Sequence, residues 1–542
     1  MVLRDGCKAD LVITGQSVFT GRHDRPGPGA LAVLGNRILA VGAESDIESF
    51  IGPETRILRF GEELIMPGFH DFHLHLMLGA LSQEIVCLRD AGSQEECAEM
   101  VCRFAAEHPD DAWVLGFGWY HIFWQKKELP HRSALDRLVP DRPVFLFNSE
   151  YHGAWVNSKA LEVLGISRDT PNPPFGEIAK DENGEPTGFL YETAMGLARA
   201  ALNFDWDRRK SLLRSFLTKA ARLGVTSVND MFPLPGIELE NLDVYRYFEE
   251  QNELTVRIHF LAGLSGDLDH ARDLRDNYGS EKLKFSGLKQ FLDGVAPTYT
   301  ACMVEPYADR VDSLGITLLP PEVVKEWVVK ADREGFRIRL HACGDGGVRL
   351  GLDCYEAARR ANGSRDARHT IEHIELVHPL DIDRFAELGV IASVQPEHLA
   401  LTEKFADNPY LRSIGKKRDR FTWAFKTLAS RGARLAFGSD YPIVDLEPLA
   451  EVYRSMTRVF NDGKPDGGWN PQERLTLSEA LRAYTAGPAY GTFRENELGT
   501  LEAGKLADIV VLDRNIFAKA PEEIREAKVK TTIADGKVIF ED

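Results

Sequence analysis

Short apolar runs recur along this chain, and what lies between them changes from one region to the next. Near the N-terminal end, Ala9–Gly15, Ala30–Gly35 and Arg37–Gly42 are apolar runs closed by turn residues, the pattern of short strands. Ala507–Asp513 and Lys530–Ile539 read the same way near the other end. The middle alternates apolar runs with helical patterns such as Ser211–Leu223, Pro321–Glu334 and Phe421–Arg431. Two β-rich ends around a βα-alternating middle predict one small β domain built from both termini.

The middle supplies eight candidate strands: Ile65–His70, Val225–Asp230, Val256–Ala262, Ser286–Asp293, Arg337–His341, His369–Ile374, Val390–Gln395 and Arg434–Asp440. Eight βα units point to a closed parallel barrel. The gap after the first strand is too long for one helix, so an inserted lid-like subdomain is expected there. The fold class is α/β: a (β/α)8 TIM-like barrel, a small β-sandwich domain formed from both termini, and an insertion after strand 1. The expected boundaries are 1–64 plus 486–542 for the β domain, 65–78 plus 206–485 for the barrel and 79–205 for the insertion. No internal repeat or low-complexity tract interrupts this plan.

Composition narrows the picture. The 542 residues suffice for two or three domains, and 44% hydrophobic with 27% charged residues is ordinary for a globular protein. A formal charge of −18 argues against nucleic acid and anionic membranes as partners, since both call for a basic face. Seven cysteines without a CxxC pair fit a reduced, cytoplasmic chain. The first ten residues carry acids and no apolar core of a signal peptide, and no run is long enough for a membrane-spanning helix.

The chemistry begins at Pro67-Gly68-Phe69-His70-Asp71-Phe72-His73-Leu74-His75. Residues two apart on a strand share a side, so His73 and His75 would make half of a metal site. Catalytic groups of such barrels sit at the C-terminal ends of strands. There the fourth strand carries Lys289, the fifth His341, the sixth His373 and the eighth Asp440. Each alone has an ordinary explanation: a packed core histidine, a paired lysine, a Gly-Ser-Asp turn. Four histidines, a lysine and an aspartate on one rim make a ligand set, and imidazole with carboxylate suits Zn, Mn, Fe, Co or Ni.

These motifs resemble the amidohydrolase superfamily, and within it the YtcJ-like metal-dependent amidohydrolases, known for N-substituted formamide deformylation. The matching residues are Pro67–His75, Lys289–Gly294, His341–Asp345, Glu372-His373 and Gly438–Asp440, with His152, Val156-Asn157-Ser158 and Gly184–Gly188 in the insertion and Gly499–Asp508 near the C-terminal end. One departure is His70, where that family usually has Ile or Val.

The resemblance implies one or two divalent metal ions, zinc first among them, held by His73 and His75 on one side and His341 and His373 on the other. Lys289, carboxylated on Nζ, would bridge them, and Asp440 would carry the proton. It implies hydrolysis of an amide or N-formyl C–N bond in a small, apolar or aromatic substrate, with a homodimer left open. Carbamate, ester or lactone hydrolysis by the same centre is the competing reading, and a catalytically silent metal-binding scaffold is the non-enzymatic one. A scaffold has no use for the proton carrier Asp440.

Other signals carry less. His369–His373 matches an H-x-x-E-H protease motif, which requires a helix, whereas its flanks are β-branched. Gly344–Gly347 could cradle an anion, but a tight turn is the simpler reading. Cys343 shares parity with His341 and, read alone, is a buried inert thiol. Trp113, Phe117, Trp119, Tyr120, Phe123 and Trp124 are either the insertion's own core or an apolar substrate wall. On the second reading Trp119, Tyr120 and Trp124, with the polar His152, contact substrate.

Overall fold

The computed structural model describes residues 7–174, 176–231 and 242–542. The chain forms two compact units, one of residues 1–74, 217–231 and 248–542 and one of residues 75–216 and 232–247. The first unit holds two sheets. Its barrel strands are β1 (Phe69–Leu74), β2 (Val225–Asp230), β3 (Arg257–Gly263), β4 (Leu283–Phe291), β5 (Ile338–Ala342), β6 (Thr370–His373), β7 (Ile391–Val394) and β8 (Arg434–Phe437). They pair in chain order and in parallel, and a parallel bridge from Leu74 to Tyr441 brings the exit of β8 back to β1. This is the expected TIM-like barrel, and seven of its eight strands lie where the sequence placed them.

The first strand needs a correction. The run from Ile65 to His70 is two strands of two different sheets. Leu64–Pro67 pairs antiparallel with Ile509–Leu512, and β1 starts only at Phe69. Gly68 is the joint: a Cβ there would lie 2.4 Å from Thr226 Oγ1, so any larger residue would push the Thr226 side chain aside. The run is apolar on both sides of the joint, which hid the change of sheet.

The strands from both ends of the chain form one eight-stranded sheet, in the order Lys537–Glu541, Val529–Ala534, Ile509–Leu512, Leu64–Pro67, Leu11–Val18, Gly27–Leu34 and Arg37–Gly42, with Arg56–Arg59 also on Leu11–Val18. The period of two divides its faces. Leu11, Ile13, Leu31 and Val33 join one apolar cluster with Ile65, Ile509 and Val511, while Val12, Ala30 and Ala32 join another.

The second unit has a six-stranded sheet, in the order Gly176–Lys180, Pro186–Glu192, Gly153–Val156, Val144–Asn148, Val114–Trp119 and Val86–Cys87. Helix Gln94–Glu107 packs on it through Cys97, Ala98 and Val101, and Ser93 caps that helix by accepting the Glu96 N–H at 3.1 Å.

Candidate metal centre

Four barrel strands converge their last residues on one point. His73 stands near the end of β1, Lys289 on β4, His341 on β5 and His373 at the end of β6, with Asp440 just beyond β8. All five are buried. Neighbouring strands set the register: Phe291 faces His341, and Ala342 faces His373. The His341 and His373 rings lie 4.3 Å apart between centroids, and those of His73 and His373 4.9 Å apart. His73 Nε2 is 3.4 Å from Asp440 Oδ1, and His373 Nδ1 is 3.9 Å from Oδ2.

Two groups of ligand atoms each close to within 4.8 Å: His73, His373 and Asp440, and His341, Cys343 and His373. The backbone is strained where these groups meet. His373, Ile374 and Asp440 have φ of 71°, 50° and 59°, a left-handed region that costs a residue with a β-carbon about 1–3 kcal/mol and persists only where the surroundings impose it. For Asp440 the clamp is its own N–H, donated to the His73 carbonyl at 2.6 Å.

A second layer of partners orients the ligands. His73 Nδ1 lies 2.7 Å from Glu372 Oε2, which leaves Nε2 to face Asp440. Arg339 donates to both Glu372 oxygens, at 2.5 and 3.0 Å, and to the Phe72 carbonyl at 2.7 Å. Burial by itself would raise the Glu372 carboxyl, but Arg339 and His73 outweigh it and hold the group well below the usual carboxylate range. Asp71 ties β1 to the exit of β8 by accepting the N–H groups of His73 and Ser439, both at 3.1 Å, and the Tyr484 hydroxyl at 2.7 Å.

Asp293 does the same under β5, accepting from the N–H groups of Cys302 at 2.8 Å, Gly344 at 2.9 Å and Cys343 at 3.0 Å. The Gly344–Gly347 stretch is no tight turn but the start of helix Asp345–Asn362: Gly344 gives its N–H to this carboxylate, while the N–H groups of Gly346 and Gly347 go to the Cys302 carbonyl at 2.9 and 3.1 Å. A Cβ on Gly347 would come within 2.5 Å of Asp293 Oδ2.

The electrostatics suit a metal. Burial pushes the His73 imidazole down to about 4, with Lys289 adding to the effect, and holds His373 well below its ordinary value. Both rings are neutral at pH 7, as ligands must be. Burial brings the Lys289 ammonium down to about 8, and its Nζ has no hydrogen-bond partner among the described residues. A buried lysine amine among imidazoles and a carboxylate is costly as it stands, and it suits a position where the amine is modified or faces an ion. The donor set thus fits a divalent metal.

The remaining sequence candidates lie in the second unit. His75, buried, opens it ahead of helix Leu76–Ser82, and its backbone carbonyl accepts the Gly79 N–H at 2.8 Å. Trp119 and Trp124 belong to that unit's apolar cluster, and each indole N–H is taken by a backbone carbonyl, of Leu146 at 3.0 Å and Ala91 at 3.1 Å. Neither indole has a polar edge left to offer a ligand. The Tyr120 hydroxyl donates to Glu150, and His152 Nδ1 lies 3.0 Å from Glu192 Oε1. The H-x-x-E-H stretch is a strand, and His369 turns away from the centre to Asp332, at 3.1 Å.

His398 was not foreseen. It follows β7 in the short helix Pro396–Ala400, keeps 11% of its side chain exposed, and sits 3.7 Å from Asp440 Oδ2. No motif marks it, although its place just past a strand end was legible.

The barrel, the convergent histidines and the buried lysine define a class of hydrolases. The chain belongs to the amidohydrolase family, whose model matches residues 62–540. It is 33% identical over 99% of its length to Protein LONG AFTER FAR-RED 3 of Arabidopsis thaliana, covering 92% of that protein. It is 28% identical to the N-substituted formamide deformylase of Arthrobacter pascens, with 98% of each chain covered. An uncharacterized metal-dependent hydrolase from Pyrococcus horikoshii OT3 superposes with a TM-score of 0.77 at 25% identity, over 94% of this chain and 99% of that one.

Proposed function

We propose that the protein hydrolyses a C–N bond, of an amide or N-formyl group, in a small substrate at a centre of one or two divalent metal ions, zinc first among them. The observation that supports this most is the junction of the two ligand groups at His373, with Asp440 inside one of them. In this reading His73, His341, His373 and Lys289 hold the metal, Lys289 as its N-carboxylate, and the i, i+2 spacing adds His75 from sequence. Lys289 is suited to that modification, since an amine lowered to about 8 is partly neutral near pH 7, and the neutral amine is the form that captures CO2.

A divalent metal bound there supplies Lewis acidity, which lowers the pKa of a water molecule and polarises a carbonyl. The chain's own residues do the rest. Asp440 takes the proton of the attacking water on a carboxylate oxygen and returns it to the leaving nitrogen. His398, 3.7 Å from that carboxylate, helps hold its orientation. Glu372 fixes the His73 ring through Nδ1, and Arg339 keeps Glu372 ionised.

The N-formyl assignment follows the deformylase relative, with which the chain shares nearly its full length. The test is elemental analysis of the purified protein together with a panel of N-formyl amines, N-acyl amino acids, carbamates and lactones, with and without chelator. Chelator-sensitive turnover of N-formyl amines or amides is expected. Turnover of lactones alone would overturn the substrate class, and full activity without metal would overturn the mechanism.

A further inference from the structure

We propose that Cys343, as a thiolate, is a further protein ligand of the metal held by His341, His373 and Lys289, an inference that rests on the metal-dependent reading above. The sequence offers no reason to prefer this over an inert buried thiol. The geometry does. Cys343 Sγ lies 3.4 Å from His341 Nε2, and the ligand atoms of His341, Cys343 and His373 all fall within 4.8 Å of one another. The 3.4 Å sulfur–nitrogen separation is what a tetrahedral ion with Zn–S of about 2.3 Å and Zn–N of about 2.0 Å would span.

Each member of the trio is held in place. The Cys343 N–H goes to Asp293 Oδ1 at 3.0 Å and its carbonyl accepts the Leu376 N–H at 3.0 Å, so sulfur is presented from a fixed backbone. The His341 ring packs between Phe291, at 4.9 Å, and His373, at 4.3 Å. Ligands locked by packing and by supporting hydrogen bonds are what a metal site needs.

Cys97 shows what an inert thiol looks like in the same chain. It is as buried as Cys343, but its surroundings are the apolar side chains of the second unit's core. Cys343 instead faces two imidazoles and, in the same site, Lys289. When the metal binds, the S–H bond gives its proton to a buffer base and the sulfur lone pair makes the new bond, so one proton is released per thiolate formed. With the thiolate, the donor set is softer than an all-nitrogen-and-oxygen one. It shifts preference toward Zn and Co and away from Mn and Mg.

The experiment is to deplete the protein of metal, reload it with Co(II) and record the near-ultraviolet spectrum, and to collect zinc-edge X-ray absorption data on the Zn form. A sulfur-to-cobalt charge-transfer band and a sulfur scatterer at about 2.3 Å are expected. C343S should lose the band and bind Co(II) at least about tenfold more weakly, no less than the loss of a supporting partner costs. C354S, at a buried cysteine in helix Asp345–Asn362, should keep both. If C343S does not fold, the wild-type spectra decide alone. Metal bound with only nitrogen and oxygen neighbours overturns the thiolate and leaves the hydrolase reading standing. A protein that takes up no metal overturns both.

Discussion

The barrel interior carries polar side chains at two levels, and the two are built on opposite terms. At the C-terminal ends of the strands, donors meet acids: His73 with Glu372 and Asp440, and Arg339 with Glu372. Nearer the N-terminal ends the lining is rich in donors. His70 Nε2 lies 2.9 Å from Asn229 Oδ1 and its ring stacks on His259 at 5.1 Å. Arg337 donates to Ser286 Oγ at 2.9 Å, while its Nε and Nη1 have no hydrogen-bond partner among the described residues. Burial and the nearby Arg339 push the Arg337 guanidinium well down, yet an arginine does not give up its proton, so that charge is carried at a cost. A buried polar cluster is therefore not in itself a mark of chemistry. What separates the upper layer is the meeting of imidazoles with carboxylates, one of which, Glu372, is held ionised by Arg339 and His73.

That contrast can be broken from either side. The largest effect belongs to the proton carrier. D440N should lower kcat by roughly 10²–10⁴ in steady-state assays, and a loss below tenfold would remove Asp440 from that role. Next comes the support beneath the ligands. E372Q should weaken metal binding about 10–100-fold in a competition titration and destabilise the fold by about 3–5 kcal/mol, because Arg339 keeps its charge and loses its counter-charge.

The lower layer should respond in the opposite sense. R337M removes a buried charge that has no carboxylate of its own, so it should leave kcat within about twofold and raise stability by about 1–4 kcal/mol in denaturant melts. A loss of stability would mean that the charge is compensated after all.

The smallest effect at neutral pH is expected for H70I, which places there the residue type its family usually has. At pH 7 the change should stay within about 1–3 kcal/mol, the cost of leaving Asn229 unpartnered set against relief of a buried imidazole. Its mark is the acid limb. Burial lowers the folded-state value of His70 to about 3, whereas the unfolded imidazole takes its proton near 6.5. Above pH 6.5 both states are neutral and His70 adds no pH dependence. As pH falls below 6.5 the unfolded state gains the proton first, so stability drops by up to about 1.4 kcal/mol per pH unit until about pH 3. H70I should flatten that slope, and an unchanged slope would place the acid sensitivity elsewhere.

Much of the upper layer was legible because its residues stand at strand ends, and strand ends are countable in a sequence of eight βα units. Lys289, His341, His373 and Asp440 can be placed on strands four, five, six and eight from the sequence alone. The supporting residues were not legible in the same way. Arg339 and Glu372 meet across two strands, 33 residues apart, and only the register of β5 on β6 makes them partners. Asp293 lies within a recognisable motif, but its hold on Gly344, 51 residues on, belongs to tertiary structure. His398 follows its strand without any motif. Trp119 and Trp124 had two readings from sequence, because an apolar wall and an apolar core have the same composition, and only their satisfied N–H groups and packing distinguish them. The split at Gly68 was hidden for a related reason: two buried strands in series read as one apolar run.

The central claim is that the upper layer works through a metal. The most direct measurement is formate or amine release from an N-formyl amine by protein stripped with chelator and then titrated with Zn(II). The account predicts loss of turnover on stripping and its return as zinc is restored, saturating at one or two ions per chain. Turnover that survives complete metal removal, at the rate of the untreated protein, would contradict it.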